Sequence, residues 1–373
     1  MTTPRRDFLK ITGLGMGMLA GAPLVPAAAA PVTRNWVWIP NTTQRPPDEW
    51  RRRFAQFRAA GVTAILPEIY DGRQAWFESR RLPVKTDWLG TLLPLAHEAG
   101  LEVHAWMWVM PCLIDQVMTA HPDWYNVNAL GESAVDKPAY VPYYRFLDPA
   151  RPEVREWIAG TVAELAAIPG LAGIHLDYVR YPDTILAHGL WAHYGIVQDR
   201  VYPQYDYGYT AYERAQFKAK FGVDPLGATE PAIQQAWLHY RWDAVTGLVN
   251  DHLVPAAKRG GKWITAAVFP GPAIARAHVY QDWSSWRLDG FLPMLYSKFY
   301  EEGPEWVGER TREAVSSVRP PVYSGLFVGG VDDESFARSV ALALEAGAAG
   351  IAVFADDMMT DEKWRSLARR GQR

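Results

Sequence analysis

Along short stretches of this chain, apolar and polar residues trade places at every second position, which is the period of a β-strand with two different faces. Between those stretches the pattern is helical. The strand-like stretches are 35–39, 62–67, 102–109, 171–177, 263–269, 290–295, 322–326 and 350–355. Asp48 and Glu49 place acid in the first turn of a helix that Gly61 ends. Residues 88–99 form the next, closed by Gly100, and Pro152 suits the first turn of a third that reaches about residue 168. Residues 233–258 read as one long helix, and 305–318 and 334–346 follow, the last closed by Gly347. Strand and helix thus alternate eight times, which predicts parallel strands with helical crossovers. The expected fold class is α/β, a single closed (β/α)8 TIM barrel. An open doubly wound sheet is the alternative, but no glycine-rich phosphate loop follows the first strand, which disfavours its dinucleotide-binding form.

Two connections are longer than a barrel needs: 111–150 after strand three and 183–231 after strand four. Both lie at the C-terminal face, where barrels carry function. The second holds Trp191, His193, Tyr194, Tyr202, Tyr205, Tyr207, Tyr209 and Tyr212, and 212–221 looks helical up to Gly222. So many aromatic residues argue against disorder. They suit the walls of a cleft, with a subunit contact as the alternative.

The chemistry concentrates at 173–182. In a strand, His175 and Asp177 share one face, and Ile174, Leu176 and Tyr178 the other. Pro182 stops the strand after Arg180 and Tyr181. An acid at the C-terminal end of a parallel strand is where a barrel holds its catalytic groups. The plainer reading is a capped strand with Asp177 paired to Arg180. Other strand ends bring similar groups: Trp36 and Trp38; Leu66 and Glu68; His104, Trp106 and Trp108; Met294 and Tyr296; Phe354 and Asp356. Each alone has an ordinary structural reading, whereas their convergence on one end does not. We expect Asp177 and Glu68 to be catalytic. Trp36, Trp38, Tyr70, His104, Trp106, Trp108, His175, Tyr178, Arg180, Tyr296 and Asp356 are the expected substrate-binding residues.

Composition sharpens this. The chain has 17 tryptophans beside 18 tyrosines, more indoles than core packing asks for, and sugar clefts use aromatic faces against pyranose C–H surfaces. A net charge of -3 with no basic stripe argues against nucleic acid as a partner. The expected partner is a poly- or oligosaccharide. Glycoside hydrolysis needs two carboxyls, one protonated and one ionised. Behind Glu68, the candidates for the second acid are Glu301 or Glu302, then Asp356. Arg180 close to Asp177 would keep it ionised, as a nucleophile or electrostatic group, and leave proton donation to Glu68. His175 would support Asp177 from one layer below. No HxH, HExxH or CxxC occurs, so no metal and no cofactor is expected. A metal-dependent hydrolase using His104, His175 and Asp177 is a minor alternative, and a carbohydrate-binding barrel without catalysis is another. GxSxG is absent, which argues against a serine nucleophile.

Residues 1–30 read as a targeting segment. Arg5-Arg6-Asp7-Phe8-Leu9-Lys10 is a twin-arginine signature, 11–19 a short apolar core, and 27–30 offers small residues for cleavage within 28–32. The twin-arginine export machinery is therefore an expected partner, with a periplasmic or secreted destination for residues 31–373 and no permanent membrane anchor. The single cysteine, Cys112, allows no intramolecular disulfide.

The chain resembles the glycosyl-hydrolase-like family 10 domain, a group of bacterial exported barrels related to glycoside hydrolases. The likeness rests on 61–67 with Tyr70 and Gly72, on 99–106, on His121-Pro122-Asp123-Trp124, and on Leu147-Asp148-Pro149 with 152–155. It continues through 173–178 with Tyr181-Pro182, through 221–225, and through Pro293-Met294-Leu295-Tyr296. The resemblance implies a (β/α)8 fold, action on an extracytoplasmic glycan, and Asp177 as the catalytic candidate on strand four. Two departures matter. The Asn-Glu-Pro acid motif of true family 10 xylanases is absent, and strand seven ends Leu326-Phe327 without a glutamate, so the xylanase mechanism does not carry over.

Overall fold

Eight strands carry the chain: β1 (Asn35–Ile39), β2 (Val62–Tyr70), β3 (Glu102–Trp108), β4 (Gly173–Asp177), β5 (Trp263–Val268), β6 (Gly290–Pro293), β7 (Tyr323–Phe327) and β8 (Gly350–Phe354). This computed structural model describes residues 33–368, so the twin-arginine segment expected at 1–30 lies outside the described residues. Every paired strand is parallel, in the order β6-β5-β4-β3-β2-β1-β8-β7. Bridges between Phe291 and Val322 and between Met294 and Gly325 join β6 to β7 and nearly close the cylinder. The expected (β/α)8 barrel is what forms.

Strand alternation divides the apolar residues between two cores. Val37, Ile39, Ile65, Val103, Ile174 and Val353 point outward and pack against the helices. Trp36, Trp38, Ala64, Leu66, Trp106, Ala267, Leu292 and Ala352 point inward and fill the barrel. The helices Pro47–Ala59, Trp88–Glu98, Pro152–Ala166, Pro304–Ser317 and Asp333–Glu345 cover the outside. The long helix expected at 233–258 is a continuous helical run, Pro231–Gly247 to Val254–Arg259, interrupted by the wider turns of Leu248–Leu253. Among the described residues, no helix is long and apolar enough to cross a membrane.

The connection after β4 contains the helix Ala211–Phe221, capped by the Thr210 hydroxyl at its start and by Gly222 in the left-handed region at its end. A buried polar network ties this loop to the barrel. Thr210 Oγ1 donates to Asp148 at 2.7 Å, Tyr181 donates to Glu213, and Tyr280 donates to Asp206 at 2.6 Å. Arg241 forms an ion pair with the same Asp206. The loop is thus a fixed wall of the C-terminal face.

Candidate active site

The C-terminal mouth of the barrel opens into a cleft of roughly 580 Å³. Of the residues expected there, Asp177, Glu68, Trp38, Trp106, Trp108, Tyr178, Arg180 and Tyr296 line it. β3 runs between the two acid-bearing strands, pairing Trp106 with Glu68 on one side and Trp108 with Asp177 on the other. Both carboxyls are buried, Glu68 with 6% of its surface exposed and Asp177 with 9%.

Asp177 closes β4. Its Oδ2 accepts the Trp106 indole N–H at 3.0 Å, and its Oδ1 accepts the Tyr178 backbone N–H at 2.7 Å. Burial nevertheless pushes its pKa up to about 6, against the pull of that amide, the Arg180 charge and the indole. Glu68 is drier still in effect. Burial pushes its pKa up to about 8, with the charges of Asp71 and Asp177 adding to the rise. The Asn41 amide, donating to Oε2 at 3.2 Å, opposes it, as does the Trp108 indole to a smaller degree. At neutral pH the cleft therefore holds one protonated acid beside one mostly ionised one.

Arg180 does not pair with Asp177 as expected. Its Nη1 meets Asp183 at 2.9 Å, its Nη2 donates to the Tyr144 hydroxyl at 3.2 Å, and the rings of Tyr144, Phe146, Tyr178 and Phe269 surround its guanidinium. Asp183 takes up the direct pairing, and Arg180 acts on Asp177 only through its field. Asp177 is accordingly raised, not held low.

Tyr178 was expected on the outer face, and a backbone reversal brings it in. The strand ends at Asp177, and Tyr178 takes a left-handed φ of 51° that places its ring beside Trp108, 4.9 Å between centroids. Tyr70 goes the other way. Pairing with β3 slips between Glu68 and Tyr70, a bulge that breaks the alternation. Tyr70 therefore joins Ile69 in the outer core and does not reach the cleft.

Four more expected substrate contacts lie elsewhere. Trp36 and His104 sit below the cleft in the barrel interior, 4.6 Å apart by centroids, with Tyr323 against Trp36 at 5.0 Å. His104 Nε2 faces Glu102 at 3.3 Å. His175 is fully buried, its Nε2 accepting the Trp38 indole at 3.0 Å and its Nδ1 facing Thr265 Oγ1 at 2.9 Å. It lies in the layer beneath Asp177 and touches no substrate space. Asp356 lies in a helical turn past β8 and is bound by Arg53, with Nη2 to Oδ2 at 2.6 Å. Glu301 and Glu302 are exposed and do not line the cleft. The three ligands of the metal alternative do not converge: His104 is a layer too low, and both nitrogens of His175 are engaged. Among the described residues no group of three or more His, Cys, Asp or Glu is placed to hold a metal ion.

His193 and Tyr194, from the loop after β4 expected to wall the cleft, do line it, and the structure adds Tyr143 and Tyr144 from the loop after β3. Phe299, Phe327 and Phe354, with Tyr296, form an aromatic wall opposite the acids. Phe354 is one of the strand-end residues the alternation brings to the mouth, and the signal for Phe327 is its equivalent place at the end of β7.

The barrel has solved counterparts. It superposes on β-galactosidase from Rahnella sp. R3 with a TM-score of 0.63 at 12% identity, over 92% of this chain and 56% of that one. For β-galactosidase from Marinomonas ef1 the TM-score is 0.60 at 14% identity, over 91% and 59%. For the catalytic domain of β-amylase from Paenibacillus polymyxa it is 0.60 at 13% identity, over 90% and 95%. The chain thus spans less than two thirds of the two galactosidases. At such identities the likeness establishes the fold. No curated protein matches the chain in sequence. Residues 70–189, which hold β3, β4, Asp177 and the first long loop, match the family model Glycosyl hydrolase-like 10.

Proposed function

We propose that this chain is an exported glycoside hydrolase that cleaves O-glycosidic bonds of an extracytoplasmic or cell-envelope polysaccharide. Glu68 is the proton donor and Asp177 the ionised carboxylate. One observation carries the reading: two carboxyls share one aromatic cleft, and their surroundings part their pKa values to about 8 and about 6. Acid and base assignments follow from such a split. Aromatic faces at Trp108, Tyr143 and Tyr178 offer stacking surfaces for a sugar ring. The family match and the glycosidase neighbours support the reaction class. Export rests on Arg5 and Arg6 and the apolar stretch behind them.

A digestion screen over cell-wall and storage polysaccharides, with product analysis, tests the reading on wild type and Asp177→Asn together. Turnover by the wild type, lost in the variant while binding persists, is the expected result. Tight glycan binding with no turnover would replace the hydrolase by a carbohydrate-binding barrel. Activity lost on chelation and restored by zinc or manganese would favour the metal-dependent alternative.

A further inference from the structure

β3 presents two indoles to the cleft, Trp106 and Trp108, and the acids stand on the strands at either side of it. The two N–H groups are not used alike. Trp106 Nε1 donates to Asp177 Oδ2 at 3.0 Å. Trp108 Nε1 is buried and has no acceptor in hydrogen-bond geometry. An indole N–H can only donate, and a dry, unpaired donor is costly. Its ring is held in place, 5.4 Å from Tyr143 and 4.9 Å from Tyr178 between centroids. Glu68 lines the same cleft, and this indole is the smallest of the influences on it, favouring the ionised form.

We infer that Trp108 is a positioning residue whose indole N–H is kept for the carboxylate form of Glu68. The inference rests on the reading of Glu68 as the proton donor. In the resting cleft Glu68 is neutral, and Asn41 supplies its one hydrogen bond, to Oε2. A neutral acid gives Trp108 little to bind. As the glycosidic C–O bond breaks, its electron pair stays on the leaving oxygen, which takes the Glu68 proton. The O–H pair remains on Glu68 as a full carboxylate. That charge appears in a dry site, with Asp71 and Asp177 opposing it. Trp108, its ring steadied by Tyr143 and Tyr178, then provides a second donor as its N–H closes on the new charge. The arrangement is symmetric in logic: one indole of β3 serves each acid.

The test needs no substrate. The full chain is labelled with 15N-tryptophan, and its indole N–H resonances are followed as the pH is raised through about 6 and then about 8, the steps of Asp177 and Glu68. Trp106→Phe and Trp108→Phe each remove one resonance and so assign the two. The Trp106 signal should follow the first step and the Trp108 signal the second, moving downfield. Glu68→Gln should abolish the second movement and leave the first. In Trp108→Phe, the infrared band of the protonated Glu68 carboxyl should persist to higher pH by roughly one unit, tenfold in ionisation constant. A Trp108 resonance that ignores the Glu68 step, or an unmoved midpoint in Trp108→Phe, overturns the inference. If that variant does not fold, the wild type and Glu68→Gln still decide. A chain that cuts no glycan would defeat the hydrolase reading and leave this result to stand or fall alone.

Discussion

Across the inside of the barrel, Trp38 donates its indole N–H to Nε2 of His175 at 3.0 Å. That single bond fixes the imidazole. Nε2 must be bare to accept, so the ring proton sits on Nδ1 and is donated to Thr265 Oγ1, 2.9 Å away. A charged His175 would have to break the Trp38 bond in a site with no exposure.

His175 should therefore make the fold acid-sensitive. Burial pushes its pKa well below 6.5, and burial also lowers that of His104 in the layer beneath, against the pull of Glu102. The unfolded chain takes up protons near pH 6.5 that the folded chain refuses. Stability is thus complete above that pH and falls as the pH drops below it, by up to about 1.4 kcal/mol per pH unit for each histidine. His175→Gln, which can still accept from Trp38, should roughly halve this slope in denaturant melts at several pH values. A slope unchanged in the variant would refute the assignment.

Glu213 should act in the opposite sense. Thr210 Oγ1 already accepts the Glu213 backbone N–H at 3.0 Å and gives its one proton to Asp148 at 2.7 Å. The hydroxyl also faces Glu213 Oε2 as a longer, shared donor contact at 3.3 Å, and Tyr181 donates to the other oxygen. Burial, with the Asp148 charge, holds its pKa well above the usual carboxylate range. The folded chain keeps a proton that the unfolded chain loses near pH 4.5. Stability is then full below that value and declines as the pH rises toward the folded pKa. Glu213→Gln should hold melting temperatures higher than wild type at alkaline pH, and lower or equal values there would count against the neutral acid.

Much of this was legible along the chain, and the reason is local. The inward run of Trp36 and Trp38, and of His104, Trp106 and Trp108, follows from a two-residue period that a strand cannot evade. Asp177 at the end of β4 and Glu68 on β2 were placed by the same count. What failed were positions just past a strand, where the period no longer holds. The bulge after Glu68 turned Tyr70 out, the left-handed backbone at Tyr178 turned that ring in, and the helical turn after β8 handed Asp356 to Arg53. The Arg180–Asp183 pair was hidden for another reason. Both partners lie past the strand, and the choice between Asp177 and Asp183 depends on a loop conformation and on Tyr144, thirty-six residues away. Depth was hidden too, since alternation says which face a side chain takes but not whether it lies at the mouth or below it, as Trp36 and His104 do.

Export is tested directly at the N-terminus. Replacing Arg5 and Arg6 by lysine keeps the charge and removes the twin-arginine signature. Cell fractionation should then find the chain retained in the cytoplasm. Unchanged export would show that another signal is in use.

Asp177→Asn should separate activity from stability. Asparagine keeps one acceptor, Oδ1, for the Tyr178 amide, and turns its Nδ2 toward the Trp106 indole N–H, so that bond is lost; against this it removes a carboxylate that burial disfavours. The lost indole bond and the relieved carboxylate offset each other, so the melting temperature at pH 7 should change by no more than a few degrees, while turnover falls by at least ~10²-fold, the lower range for loss of an acid–base group. A variant that unfolds, or one with near-wild-type turnover, would make Asp177 a structural residue.

Glu68 governs the other limb of the pH dependence. Turnover needs Asp177 ionised and Glu68 protonated. kcat/KM should rise with pH through about 6 as Asp177 loses its proton, then fall through about 8 as Glu68 loses its own. Because the Asp177 carboxylate raises the pKa of Glu68, removing the Asp177 charge should move the Glu68 step to lower pH. Glu68→Gln should erase the alkaline limb while the acid limb remains. It should also sort substrates by leaving group. Aryl glycosides with acidic phenols depart without help, so the variant should turn them over within about tenfold of wild type. Alkyl and sugar leaving groups need the proton, and for these the loss should reach ~10²–10⁴-fold. Equal losses for both kinds of substrate, or an alkaline limb that survives in Glu68→Gln, would move the proton donor to another residue.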